Sequence, residues 1–207
     1  AYDVKVAQVL LTSDVLSNRK SYLNLRSAVE ILLAMGVVPI INENDSVATD
    51  EIGSAFGDND TLSAYMASKI DADLLIMLSD IDALYDKDPR KDDSADRIHT
   101  VHKITPDIER NAGSAGSTFA VGGMATKIEA AKIAGKAGCR VVIAYGKEDE
   151  ILSRVLSGEE IGTIFIANPK LSARERWILN SRPSGSVQID DGALNAIRAR
   201  KSLLPSG

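Results

Sequence analysis

Six carboxylates, Glu43, Asp45, Asp50, Glu51, Asp58 and Asp60, fall between Asn42 and Asp60, a stretch with no Lys or Arg. Two polar clusters bracket it, Asn42-Glu43-Asn44-Asp45 and Asp58-Asn59-Asp60. Such a run is either a solvated connector ending in an Asp-Asn-Asp helix cap, or a negative pocket that binds an ammonium group or orients a lysine.

A second segment, Val121-Gly122-Gly123-Met124-Ala125-Thr126-Lys127, reads as two glycines opening a helix with a lysine one turn in. Backbone N–H groups at such a start can approach an anion, and the lysine can reach phosphate oxygens. Taken alone it also suits a flexible loop ahead of an ordinary helix. It carries neither the full phosphate-loop signature nor the Gly-x-Gly-x-x-Gly spacing of dinucleotide sites. The third segment is Ser79-Asp80, running on to Leu84-Tyr85-Asp86-Lys87-Asp88-Pro89-Arg90. A hydroxyl and a carboxylate at the end of a strand can hold a nucleotide, or simply cap a turn.

Other reactive residues carry less. His99 and His102 match no zinc spacing and have no Cys or third His nearby. Cys139 lacks a His-linked context and reads as a small buried side chain, and Trp177 as helix packing.

The elements that must position the three segments follow from periodicity. Apolar runs at Val4 to Thr12, Val37 to Ile41, Leu74 to Leu78, Arg140 to Ala144 and Thr163 to Ala167 predict strands. Ser13 to Asn18 supplies turn and cap residues. Leu25, Ala28, Val29, Leu32 and Leu33 recur at helical spacing ahead of Gly36, which suits a left-handed C-cap. Further helices are expected over Asp60 to Ile70, Pro106 to Asn111, Met124 to Ala137, Asp149 to Leu156 and Ser172 to Leu179. Val187 to Lys201 reads as a final strand plus helix. Ser79 to Arg97 is charged and turn-rich, His99 to Thr105 is ambiguous, and Gly113 to Gly123 is expected to be a mobile loop. Strands alternating with amphipathic helices imply an α/β fold, a largely parallel sheet with helices on both faces. Ligands in such folds sit beyond the carboxyl ends of the strands, where all three segments lie.

Composition narrows the function. The 207 residues are 44% hydrophobic and 26% charged, with a net charge of −5, which suits one or two globular domains. The apolar runs fall far short of the roughly 18 residues of a membrane span. Net acidity, with one Trp, five Tyr and three Phe and no basic stripe, argues against a nucleic-acid binder. The single cysteine forbids an internal disulfide, and no secretory signal is visible, so a soluble cytoplasmic protein is expected. A start at Ala1, entering a strand almost at once, suggests a piece of a longer polypeptide.

In this order the segments resemble the amino-acid kinase superfamily, and within it the glutamate 5-kinase family. The match rests on Pro39 to Thr49, Gly57 to Ala64, Leu78-Ser79-Asp80 with Leu84-Tyr85 and Asp88-Pro89-Arg90, and Gly122 to Lys127; it extends through Gly162-Thr163 and Arg174 to Trp177. The resemblance implies a three-layer αβα sandwich and phosphorylation of the side-chain carboxylate of L-glutamate by ATP, which opens proline biosynthesis. By the same resemblance Asp45 and Asn59 bind the amino acid with support from Asp58, and Asp60 orients the catalytic Lys127. ATP is held by Ser79, Asp80, Val121, Gly122, Gly123, Met124, Ala125, Thr126 and Lys127. Mg²⁺ is held mainly by the nucleotide phosphates, with no metal ligand assigned to the protein. Proline feedback inhibition and a homo-oligomer are implied as well.

Two departures stand out. The family's leading strand, its Gly-rich turn with a second lysine, and a Ser/Gly segment have no counterpart before Ala1. Residues 1 to 200 are therefore expected to form an N-terminally incomplete kinase domain, inactive by itself. Residues 201 to 207 would lead towards the small PUA domain found in many relatives. Ala120-Val121 also replaces the family's usual Gly-Thr. The rival readings are an aspartate, acetylglutamate or uridylate kinase of the same fold, and a non-catalytic amino-acid sensor. A dehydrogenase fits less well because the dinucleotide fingerprint is missing.

Overall fold

Strand β1 (Val6–Leu11) lies parallel to β2 (Val38–Glu43), with Val6 opposite Val38 and Leu11 opposite Glu43. Parallel neighbours need a crossover, here helix α1 (Arg19–Ala34). Asn18 starts this helix, its side chain accepting from the backbone N–H groups of Lys20 and Ser21. Gly36, at φ +69°, lets the chain leave the helix in the left-handed conformation expected of a glycine there. Tyr22, Leu25 and Val29 form the buried stripe of α1, and Leu25 and Val29 pack with Leu11, Leu62 and Met66.

The computed structural model describes residues 3–12, 15, 18–46, 59–89, 91–114, 123–167, 175, 185–199 and 201. The remaining strands are β3 (Leu74–Ser79), β4 (Leu84–Tyr85), β5 (Arg97–Ile98), β6 (Thr100–Val101), β7 (Arg140–Tyr145) and β8 (Thr163–Phe165). Beyond α1 the helices are α2 (Asn59–Lys69), α3 (Pro106–Ser114), α4 (Met124–Lys136), α5 (Ile151–Leu156) and α6 (Asp191–Arg198). A second sheet has the order β3-β7-β8-β6. β3 and β7 pair in parallel, as do β6 and β8, whereas β7 and β8 are antiparallel. β4 and β5 make a small antiparallel ladder.

The alternation along β7 shows the layering. Val141 and Ile143 join the core that α2 and α4 build with Ala64, Ala67, Ala130, Ala131 and Ala134. Val142 and Ala144 face the other way, into a cluster with Ile151 of α5. One strand covered on both faces is the middle of a three-layer αβα sandwich. The alanines matter because small side chains let α2 and α4 approach closely. Each of the buried Val and Ile side chains on β7 contributes about 1.5–3 kcal/mol of burial.

Two residues after α5 and its turn lock β8 in place. Gly162 has φ +69°, and a Cβ there would sit 2.0 Å from the Ile143 carbonyl oxygen. The Thr163 hydroxyl, fully buried, donates to the Ile98 carbonyl at 2.7 Å and accepts from the Leu84 N–H at 2.8 Å. It ties β8 to both strands of the small ladder.

Several expectations needed correction. Val187 to Asp190 forms no strand: Val187 and Ile189 are exposed, and apolar alternation without a neighbouring edge has nothing to pair with. The helix expected from Asp149 begins at Ile151, because Glu150 sits in the left-handed region at φ +54°. The sheets are mainly parallel, as expected, the larger one carrying a single antiparallel pair, β7 with β8, and among the described residues β1 and β2 stand as their own two-stranded unit. The ambiguous stretch after His99 supplies β6. His99 and His102 are exposed, and Cys139 is buried. The mobile loop expected over Gly113 to Gly123 starts later, since Gly113 and Ser114 end helix α3; its residues 115–122, and the expected helix over Ser172 to Leu179 except Glu175, lie outside the described residues. No described helix is long and apolar enough to cross a membrane.

Candidate active site

The first turns of α2 and α4 meet through side chains 67 residues apart in sequence. The Lys127 ammonium donates to Asp60 Oδ2 at 2.9 Å. Thr126 Oγ1 lies 3.0 Å from the same carboxylate oxygen and 2.7 Å from the Gly123 carbonyl oxygen. Lys127 is only 6% exposed. A buried ammonium is tolerated only when paired, and removing its partner costs about 3–5 kcal/mol. Asp60 supplies such a partner.

The start of α4 suits an anion. Gly123 is the N-cap, extended at φ −73° and ψ −175°, and no side chain caps the helix. Among the described residues, a Cβ at Gly123 would meet nothing within 4 Å. Unsatisfied N–H groups carry the positive end of the helix dipole.

On the other side of α2, β2 runs into the acidic cluster. The Asn44 N–H donates to the Leu11 carbonyl at 2.7 Å, extending the ladder by one bond. The Ser46 hydroxyl donates to Asn44 Oδ1 at 2.8 Å. Asp45 is exposed, whereas Glu43 is half-buried on the inward-facing register of the strand. Glu43 Oε1 is shielded from solvent and, among the described residues, has no hydrogen-bond partner. Burial, and then the charge of Asp45, raise the Glu43 carboxyl above its ordinary value. Asn59, at the start of α2, lines a groove of about 410 Å³ with Pro39, Ile41 and Leu62.

The end of β3 forms a third corner. Ser79 Oγ donates to Asp80 Oδ1 at 3.2 Å and accepts from the Ile81 N–H at 3.2 Å. A cleft of about 330 Å³ joins this turn to α4, since Asp80, Ile81, Asp82, Tyr85 and Lys87 line it together with Met124. The Tyr85 hydroxyl is fixed between the Asp82 carboxylate and Arg97 Nε, which donates to it at 2.9 Å. That bond, and then the Asp82 charge, raise the Arg97 guanidinium further above its ordinary value.

Asp60, Thr126 and Lys127 are thus in direct contact, and Ser79, Asp80 and Met124 share a neighbouring turn and cleft. Asp45 and Asn59 flank the β2 to α2 connection. Asp58, Val121 and Gly122 lie outside the described residues. Ile81 and Asp82 enter the cleft unannounced by any motif; their only signal was position, directly after Ser79-Asp80. Among the described residues no three His, Cys, Asp or Glu side chains converge as a metal cage.

The sequence matches the model of the amino acid kinase family over residues 1–145. It is 54% identical, along its whole length, to a glutamate 5-kinase of Methanosarcina barkeri, and covers 54% of that protein. It is 47% identical over 210 aligned residues to a glutamate 5-kinase of Citrifermentans bemidjiense, covering 56% of it. The chain therefore spans about half the length of the curated relatives it matches. Among solved structures, the UMP kinase of Bacillus anthracis superposes with a TM-score of 0.51 at 14% identity, over 82% of this chain and 61% of that one, a likeness of fold. The matched segment runs from β1 through β7 and contains Asp45, Asn59, Asp60 and the whole Gly123 to Lys127 helix start, and this chain belongs to the amino acid kinase family.

Proposed function

We propose that the protein carrying these residues transfers the γ-phosphoryl group of ATP to the side-chain carboxylate of L-glutamate, giving L-glutamyl 5-phosphate and ADP, the first step of proline biosynthesis. The observation that carries this reading is the buried Lys127 ammonium held by Asp60 in the first turn of α4, behind the glycine N-cap. The identity to glutamate 5-kinases, 47–54% in the proteins compared above, supports glutamate over other acceptors.

The chemistry asks little of proton transfer. A glutamate side-chain oxygen attacks the γ-phosphorus, and the bond from that phosphorus to the bridging oxygen breaks, leaving ADP. Both reactants are anions, so orientation and positive charge supply most of the acceleration. Lys127 and the first N–H groups of α4 hold the phosphoryl oxygens as charge redistributes on them, and Asp60 holds the ammonium at this helix start until the nucleotide arrives. Ser79, Asp80 and the cleft beside Met124 receive the rest of the nucleotide; Val121 and Gly122 complete the loop in this reading. The exposed Asp45 takes the ammonium of glutamate, with Asn59 and Asp58 beside it. Mg²⁺ would be held mainly by the nucleotide phosphates and would supply further positive charge to the transfer.

Proline shares the α-ammonium and α-carboxylate of glutamate, so inhibition acts at the Asp45 end. Exposed Leu23, Ile31, Leu33 and Met35 on and just after α1 support self-association. Residues 1 to 200 form one kinase domain in this reading, working in the cytoplasm where ATP and glutamate meet.

Hydroxylamine trapping of acyl phosphate, compared for glutamate and aspartate, with UMP-dependent ADP release run beside it, tests the acceptor. Hydroxamate from glutamate alone is expected. Preference for aspartate, or ADP release with UMP, overturns the reading. Amino-acid binding that ignores both Mg-ATP and Lys127→Ala would favour a sensor.

A further inference from the structure

Asp60 Oδ2 faces two donors, the Lys127 ammonium at 2.9 Å and the Thr126 hydroxyl at 3.0 Å. That hydroxyl also lies 2.7 Å from the Gly123 carbonyl oxygen. A carboxylate and a carbonyl only accept, and a hydroxyl has a single proton to give. Thr126 can therefore satisfy one of the two at a time.

With the ammonium on Asp60, the carboxylate already holds a charge-assisted bond, and the hydroxyl proton belongs on the nearer Gly123 carbonyl. This second contact is the ordinary bond of a helical threonine to the carbonyl three residues back, and it parks the oxygen in one rotamer. It does not account for the oxygen also standing within hydrogen-bond distance of a carboxylate on another helix. Any anion arriving at the N-terminus of α4 competes with Asp60 for Lys127. The half-buried carboxylate then loses its strongest donor unless another turns to it. Rotation about the Cβ–Oγ bond of Thr126 delivers one without moving a heavy atom.

We propose that Thr126 is a positioning residue for Asp60: its hydroxyl proton moves from the Gly123 carbonyl to Asp60 when Lys127 turns to the nucleotide phosphates. The proposal rests on the phosphoryl-transfer reading for the nucleotide, and is independent of which acceptor is phosphorylated. It also gives Thr126 a role different from touching ATP.

The test is the affinity for Mg-AMP-PNP, measured by calorimetry without any acceptor substrate, in the protein carrying these residues and in Thr126→Val, Asp60→Asn and the double variant. A hydrogen bond to a charged group is worth about a tenfold change. Thr126→Val should weaken binding about tenfold with Asp60 present and less than about twofold with Asp60→Asn, a coupling that mere structural support does not produce. Thr126→Ser, which keeps the hydroxyl, should stay within about threefold of the parent. Equal weakening in both backgrounds would mean that Thr126 contacts the nucleotide itself, and would overturn the proposal. So would no weakening in either background, a serine variant as weak as valine, or a parent that does not bind the analogue. If the parent binds it with the expected coupling but yields no glutamyl hydroxamate, the glutamate assignment fails and the Thr126 proposal stands.

Discussion

Lys127 and Asp60 join the opening turns of two helices that the chain separates by 67 residues, with the ammonium 2.9 Å from the carboxylate and almost wholly buried. The pair couples stability to chemistry, because the lysine proposed to meet phosphate also holds the Asp60 carboxylate where the two helices meet.

Replacing the ammonium while keeping the side-chain length separates these roles. Lys127→Met should lower glutamate-dependent ADP release at saturating ATP by about 10²–10³-fold, the loss seen when one preorganised donor to a developing charge is removed. Lys127→Arg should not restore it, since a planar guanidinium cannot occupy the compact site beside Thr126. Activity within tenfold of the parent in the methionine variant would count against the proposed phosphate role.

Asp45 is exposed at the carboxyl end of β2, available for a ligand cation. Asp45→Asn keeps the shape and removes the charge. The KM for glutamate should rise by about tenfold or more, with the KM for ATP within about twofold, as expected for loss of a charge-assisted bond to one substrate. A matched rise in both constants would place Asp45 elsewhere in the mechanism.

Glu43 should make stability fall with rising pH. Its folded carboxyl is raised by burial and by Asp45, so the folded chain holds this proton to higher pH than the unfolded chain does. Its contribution is complete below the ordinary glutamate value of 4.5 and is lost as pH climbs through the raised one. Glu43→Gln removes the charge that must be buried. Melting curves should coincide near pH 4, and at pH 8 the variant should melt about 2 °C higher. A parent that melts higher than the variant at pH 8 would show that the carboxylate is better served than its orphaned Oε1 implies.

Thr163 gives a purely structural control. Thr163→Val retains the volume but strands the Ile98 carbonyl and the Leu84 N–H that the hydroxyl serves. Unfolding in urea should show a loss of about 2–4 kcal/mol, two buried groups at about 1–2 each. The loss should appear in the midpoint, with the slope unchanged. A variant within 0.5 kcal/mol, on the order of ordinary surface changes, would mean that water replaces the hydroxyl.

Much of this architecture is legible without coordinates. Leu74 to Leu78, apolar throughout, announces a strand, though among the described residues β3 lies at the edge of its sheet with Leu78 exposed rather than covered on both faces, and the spacing of Leu25, Val29 and Leu32 announces α1; local periodicity reports which residues tend to leave water. The glycine pair ahead of Met124 and the acidic run before α2 likewise mark two chemical poles. What periodicity cannot report is which distant groups share a site. The Asp60 to Lys127 bond, the inward turn of the Thr126 hydroxyl and the orphaned Glu43 oxygen exist because the alanine-lined faces of α2 and α4 pack closely and because β2 carries Glu43 inward. The strand expected at Val187 failed for a related reason, since a strand is completed by a neighbour's backbone and no local pattern supplies one. Sequence determined the elements and the chemical character of their ends; the packing of helix on helix decided which ends meet, because contact between residues 67 positions apart is set by the shape of the core between them.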